Sequence, residues 1–157
     1  MSRRRHVAAF TVVTLLVAAA SATGASAKAA KKPVRMKTMK GSYSVTLVPD
    51  PTIDVQGQLG NDCKNVDPKS IDVHALTLPG TGTLHVVLDS PDPTGTGSFD
   101  WDLVILDSHG DEYDSSHGST AHEETVDPGM RKGKVSIEVC NLVGEPTGNI
   151  SYTYTYK

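Results

Sequence analysis

The chain has 157 residues, 15 Lys+Arg against 18 Asp+Glu, and a formal net charge of −3 at neutral pH. That length suits one ordinary domain with one core, and only two cysteines exclude a disulfide-dense scaffold. The charge is uneven: beyond residue 40, six cations stand against all eighteen carboxylates, a net −12, which repels phosphate and argues against nucleic acid as a partner.

Residues 1–27 read as an export signal. "MSRRRH" is a basic start, Val7–Ala20 is free of charge, and Ala25-Ser26-Ala27 is a small-x-small cleavage site. The apolar run, Val7–Ala20, is 14 residues, shorter than the roughly 20 that a membrane helix needs. Cleavage near Ala27 is therefore expected to leave a secreted chain with no membrane span. Next comes "KAAKKPVRMKTMK", residues 28–40, with six Lys/Arg and little apolar content. It reads as a basic flexible linker, suited to contact with an anionic cell envelope.

The segment 41–157 reads as strands and turns. "SYSVTLV" (42–48) alternates and is stopped by "VPDPT". "SIDVHALTLPG" places Ile71, Val73 and Ala75 on one face and then shifts register into Leu76 and Leu78. "TLHVVLDS" turns Leu84, Val86 and Leu88 inward and His85, Val87 and Asp89 outward. "FDWDLVILD" predicts the central strand, because Leu103–Leu106 has no polar position and must be buried on both faces. "KVSIEVC" alternates again, and "NISYTYTYK" is the last strand. Pro and Gly interrupt the chain every 8–12 residues, and no helical periodicity appears. The pattern predicts an all-β fold, an antiparallel β-sandwich or jelly roll of about seven to nine strands. Cys63 and Cys140, one even pair in an exported chain, are expected to form a disulfide. Neither lies in a C-x-x-C or beside a histidine, which disfavours half of a metal site.

Three groups of residues could carry chemistry. Asp100 and Asp102 share a strand face with Val104 and Leu106, and Asp102 sits where the strand enters the core. Backbone N–H groups from a neighbouring loop are expected to satisfy it. The alternative is calcium, held by Asp100, Asp102, Asp107 and Asp111. That ion takes six to eight oxygens, and no stretch fits the D-x-[DN]-x-[DN]-G loop. The second group is the 107–124 segment, where His109, His117 and His122 with Asp111 and Asp114 could hold Zn²⁺ or Cu²⁺. Without H-x-x-x-H spacing, and with many turn formers, it reads first as a solvated loop. The third is the row Tyr152, Tyr154 and Tyr156: outward it is an aromatic ligand platform, inward it is core. Nucleophilic catalysis has no motif: there is no G-x-S-x-G and no phosphate-binding glycine loop.

An ordered series runs from about Ile71 to Tyr156. The strand "TLHVVLDS" leads to "DWDLVILDSHG", then Ser115–Ser116, "EETV", Gly133, "KVSIEVCN" and a Tyr-bearing last strand. In order and spacing this resembles the bacterial pre-peptidase C-terminal domain family. It departs at Lys134-Val135, where that family carries an aromatic pair. The resemblance implies a small secreted β-sandwich that is not itself catalytic, a binding or adhesion module for extracellular polysaccharide or protein. It also allows an accessory or inhibitory partner of a secreted protease. A small metal-binding protein or metalloenzyme using 107–124 is the competing reading. No cofactor is required, and calcium is the one the carboxylates could take.

Overall fold

The computed structural model describes residues 33–50, 63, 64, 66–92 and 99–157. Eight strands are present among them: β1 Lys37–Thr46, β2 Ile71–Leu78, β3 Gly82–Asp89, β4 Asp100–Asp107, β5 Glu112–Ser116, β6 His122–Met130, β7 Gly133–Val143 and β8 Thr147–Tyr156. They form two four-stranded sheets, in the orders β1-β8-β3-β6 and β2-β7-β4-β5, and every pairing is antiparallel. The expected all-β sandwich with one disulfide is what the chain forms.

The core lies between the sheets because alternate residues of each strand point inward. Leu84, Val86 and Leu88 of β3 and Ile150 and Tyr154 of β8 meet Trp101, Leu103 and Ile105 of β4 and Val135, Ile137 and Val139 of β7. A smaller cluster lies on the other face of the second sheet. Val104, Cys140 and Leu142 are covered there by Cys63 and Val66. That cover is why β4 reads as apolar on both faces. Cys63 and Cys140 are disulfide-bonded, with Cα atoms 5.7 Å apart, so the bond fastens the covering segment to β7. In the β7–β8 turn, Gly144 takes φ +128°, and a Cβ there would lie 2.2 Å from Phe99 Cδ1.

Three sequence expectations need correction, and one open alternative is decided. Residues 37–40, assigned to the linker, are strand: they pair with Tyr156–Thr153, and Met39 packs on the core. Backbone pairing needs no apolar side chains, so a basic sequence can extend β1 along the full length of β8. The register shift in β2 does not occur. Its ladder with β7 is continuous from Ile71↔Cys140 to Leu78↔Gly133, which leaves Val73 exposed and turns His74 inward onto the Tyr43 ring, centroids 4.2 Å apart. The 107–124 segment is not one loop, since it contains β5 and the start of β6. The tyrosine row takes its inward alternative, core and not ligand platform: Tyr154 is fully buried, and Tyr152 and Tyr156 are partly buried against the same core. The Tyr154 hydroxyl donates to Gly80 O at 2.6 Å and Met130 O at 3.3 Å. The export signal, residues 1–27, and linker residues 28–32 lie outside the described residues.

Candidate functional site

Two polar constellations stand out. One is buried at the end of the sandwich where β4 begins. Asp102 is 1 % exposed, and among the described residues neither of its carboxylate oxygens has a hydrogen-bond partner of normal geometry. The His117 imidazole lies beside it, with Nδ1 3.5 Å from Oδ2. Among the described residues no backbone N–H group donates to it. Burial pushes the Asp102 carboxyl up to about 6; His117 opposes that shift, while Asp100 and Glu123 add to it. Burial and then Glu123 also raise Asp100.

Glu123 is buried as well, but it is fully engaged. It accepts from the Ser116 hydroxyl, from Gly118 N at 3.0 Å and from Thr120 Oγ1 at 2.9 Å, and so clamps the β5–β6 turn. Asp102 also lies beside the disulfide, its ligand oxygen and the two sulfurs all within 4.8 Å of one another. The sulfurs are bonded to each other and offer no thiolate.

Asp107 and Asp111 stand at the opposite end of β4. The Asp107 Oδ1 accepts from His109 N at 2.7 Å and Asp111 N at 2.9 Å. Those backbone bonds lower its carboxyl and make it the organiser of a turn, in which Gly110 has φ +86°. Five residues of strand, about 16 Å, separate Asp102 from Asp107. The four aspartates therefore cannot share one calcium ion. The three histidines of 107–124 also part company. His109 sits on the exposed β4–β5 turn, His117 beside Asp102, and His122 on the outer face of the first sheet.

That outer face is the second constellation. Its residues form rows across all four strands: Ser44–Asn149–Asp89–His122, then Ser42–Ser151–Val87–Glu124, then Lys40–Thr153–His85–Val126. The β1–β8 half is short and polar, with Ser44 Oγ donating to Asn149 Oδ1 at 2.8 Å. A shallow groove runs there, lined by Ser42, Ser44, Asp89, Asn149 and Ser151. The β3–β6 half carries a chain of imidazoles and carboxylates. His122 Nδ1 lies 2.6 Å from Asp89 Oδ1, His122 Nε2 lies 3.9 Å from Glu124 Oε2, and His85 Nε2 lies 2.6 Å from Glu124 Oε1. The Asp89 hydrogen bond raises the His122 imidazole.

Sequence reading missed this grouping because it joins β3 to β6 across 33 and 39 residues. The signal that could have found it is the outward alternation of His85 and Asp89 in one strand with that of His122 and Glu124 in another.

No family model matches the chain, and no curated protein does. Among solved structures, it is similar to the pre-peptidase C-terminal domain of a collagenase from Bacillus anthracis. The identity is 13 %, over 74 % of this chain and 87 % of that one, with a TM-score of 0.45.

Proposed function

We propose that this protein is a non-catalytic extracellular binding module of the pre-peptidase C-terminal type, and that its ligand is a polysaccharide. The observation that carries this reading is the groove on the outer face, where Ser42, Ser44, Asn149 and Ser151 present hydroxyl and amide groups side by side. Such groups exchange hydrogen bonds with sugar hydroxyls, and a flat sheet accommodates an extended polymer. The disulfide suits an oxidising compartment. Catalysis is disfavoured by where the perturbed carboxyls sit. Asp102 is enclosed in the wall of the sandwich, out of reach of a polymer on the outer face.

The test is sedimentation of the protein with insoluble chitin, cellulose and peptidoglycan, beside a Ser44→Ala/Asn149→Ala variant. Two hydrogen bonds at about 1 kcal/mol each predict a roughly 30-fold weaker association. Retention on none of these polymers, or equal retention of the folded variant, would reject this surface as a polysaccharide site.

A further inference from the structure

The polysaccharide reading leaves the buried Asp102 carboxyl, beside the disulfide, without a role. We propose that Asp102 is the acid and base of thiol–disulfide exchange at Cys63–Cys140: it protonates the Cys140 sulfur as the bond opens and takes that proton back as the bond closes. This does not rest on the polysaccharide reading.

Three observations carry the assignment. Antiparallel pairing sets Asp102 directly opposite Cys140, and a carboxylate oxygen of Asp102 and both sulfurs lie within 4.8 Å of one another. Next, Asp102 is buried, and among the described residues its oxygens have no hydrogen-bond partner of normal geometry, so they can serve a thiol. Lastly, the two sulfurs are unequal. Cys63 lies in the covering segment, whereas Cys140 is fully buried in β7, with Ile71 as its other cross-strand neighbour. An outside thiolate therefore attacks Cys63, and the Cys140 sulfur leaves where water does not reach a thiolate.

In opening, the attacking sulfur bonds to Cys63 Sγ and the Sγ–Sγ bond breaks. Its electron pair goes to Cys140 Sγ, which takes the proton of the Asp102 carboxyl. The second sulfur of a dithiol then displaces Cys63, so the dithiol is oxidised to its disulfide and the protein is reduced by two electrons. Closure is the reverse: the Asp102 carboxylate takes the Cys140 proton as that sulfur attacks a mixed disulfide on Cys63. His117, with Nδ1 3.5 Å from Asp102 Oδ2 and its side chain 20 % exposed, links the carboxyl to solvent. Burial, opposed by His117 and aided by Asp100 and Glu123, lifts that carboxyl to about 6, a range in which it both gives and takes a proton. Lys64 and Glu138 stand further along the same face, around Val104.

Reduction of the folded, oxidised protein by dithiothreitol tests this, followed by alkylation and mass spectrometry, with rates divided by the thiolate concentration of the reagent. From about pH 5 to about pH 7.5 the wild-type rate is expected to fall about 30-fold, because a carboxyl titrating at about 6 loses its acid form. Reduction by way of unfolding runs in the other direction, since a carboxyl raised by burial makes the native state more stable in acid. Asp102→Asn, shown to fold by circular dichroism, should react about a hundredfold more slowly at about pH 5 and lose the pH dependence. Asp127→Asn removes a second buried carboxyl lifted to about 6, away on β6, and should keep the wild-type profile. A wild-type rate that is flat or rises with pH, a rate independent of dithiothreitol concentration, an unchanged profile in Asp102→Asn, or an equal loss in Asp127→Asn would each overturn the assignment.

Discussion

Asp102 makes an unusual demand on the folded chain, and acid should relieve it. In the unfolded chain its carboxyl titrates near 3.8; burial lifts it to about 6 in the fold. Between those values the native state holds a proton that the unfolded state has released. Stability therefore falls as pH rises from about 4 to about 6 and stays lower above that. A displacement from 3.8 to about 6 corresponds to about 3 kcal/mol lost at neutral pH from this one group. Asp127, also buried and lifted to about 6 by burial and then by Asp114, works in the same direction. For a domain of this size about 3 kcal/mol is a shift in Tm of about 10 °C. Partly buried Asp107 opposes the trend: its lowered carboxyl contributes stability that is lost only as pH falls through its depressed value.

The assay is thermal unfolding by circular dichroism at about pH 5 and about pH 7.5. Wild type is expected to melt higher at the lower pH. In Asp102→Asn the difference should shrink, because the substituted side chain no longer titrates. A Tm that is flat or higher at about pH 7.5, or a pH dependence unchanged in the folded Asp102→Asn variant, would refute the reasoning. Those results would mean that His117, 3.5 Å away, compensates the buried charge fully.

Two further substitutions probe what holds the sandwich together. The disulfide closes a sequence separation of 77 residues. On the chain-entropy account a Cys63→Ser/Cys140→Ser variant should lose about 4–5 kcal/mol, read as a lower denaturant midpoint with a larger m-value, because the unfolded chain is no longer cross-linked. Tyr154→Phe removes the hydroxyl that serves Gly80 O and Met130 O, and should cost about 1–3 kcal/mol in the same assay.

The parts of this fold legible in the sequence are those where side-chain alternation and burial coincide. β3 and the middle of β4 read correctly because their inner positions, Leu84, Val86 and Leu88 and then Trp101, Leu103 and Ile105, are uniformly apolar. β6 was hidden for the opposite reason. Its inward residues are Glu123, Thr125 and Asp127, all buried, so the strand carries no hydrophobic period. Glu123 is tolerable there only because Ser116, Gly118 and Thr120 supply donors from the adjoining turn. β2 misled in another way: Val73 looks like core but faces solvent, while His74 is accommodated inside by stacking on Tyr43.

The sequence by itself determined the two-sheet all-β class, the pairing of its two cysteines and the double-sided burial of β4, since these follow from strand periodicity and from an even cysteine count. Only the tertiary structure decided which polar residues meet. The antiparallel register set His122 opposite Asp89 and brought Glu124 to His85, while β4 carried Asp102 and Asp107 to opposite ends of the sandwich. It also decided that Asp102 faces His117. Periodicity fixes which way a side chain points along its own strand. Its neighbours across the sheet are fixed by the order and register of strands far apart in the chain.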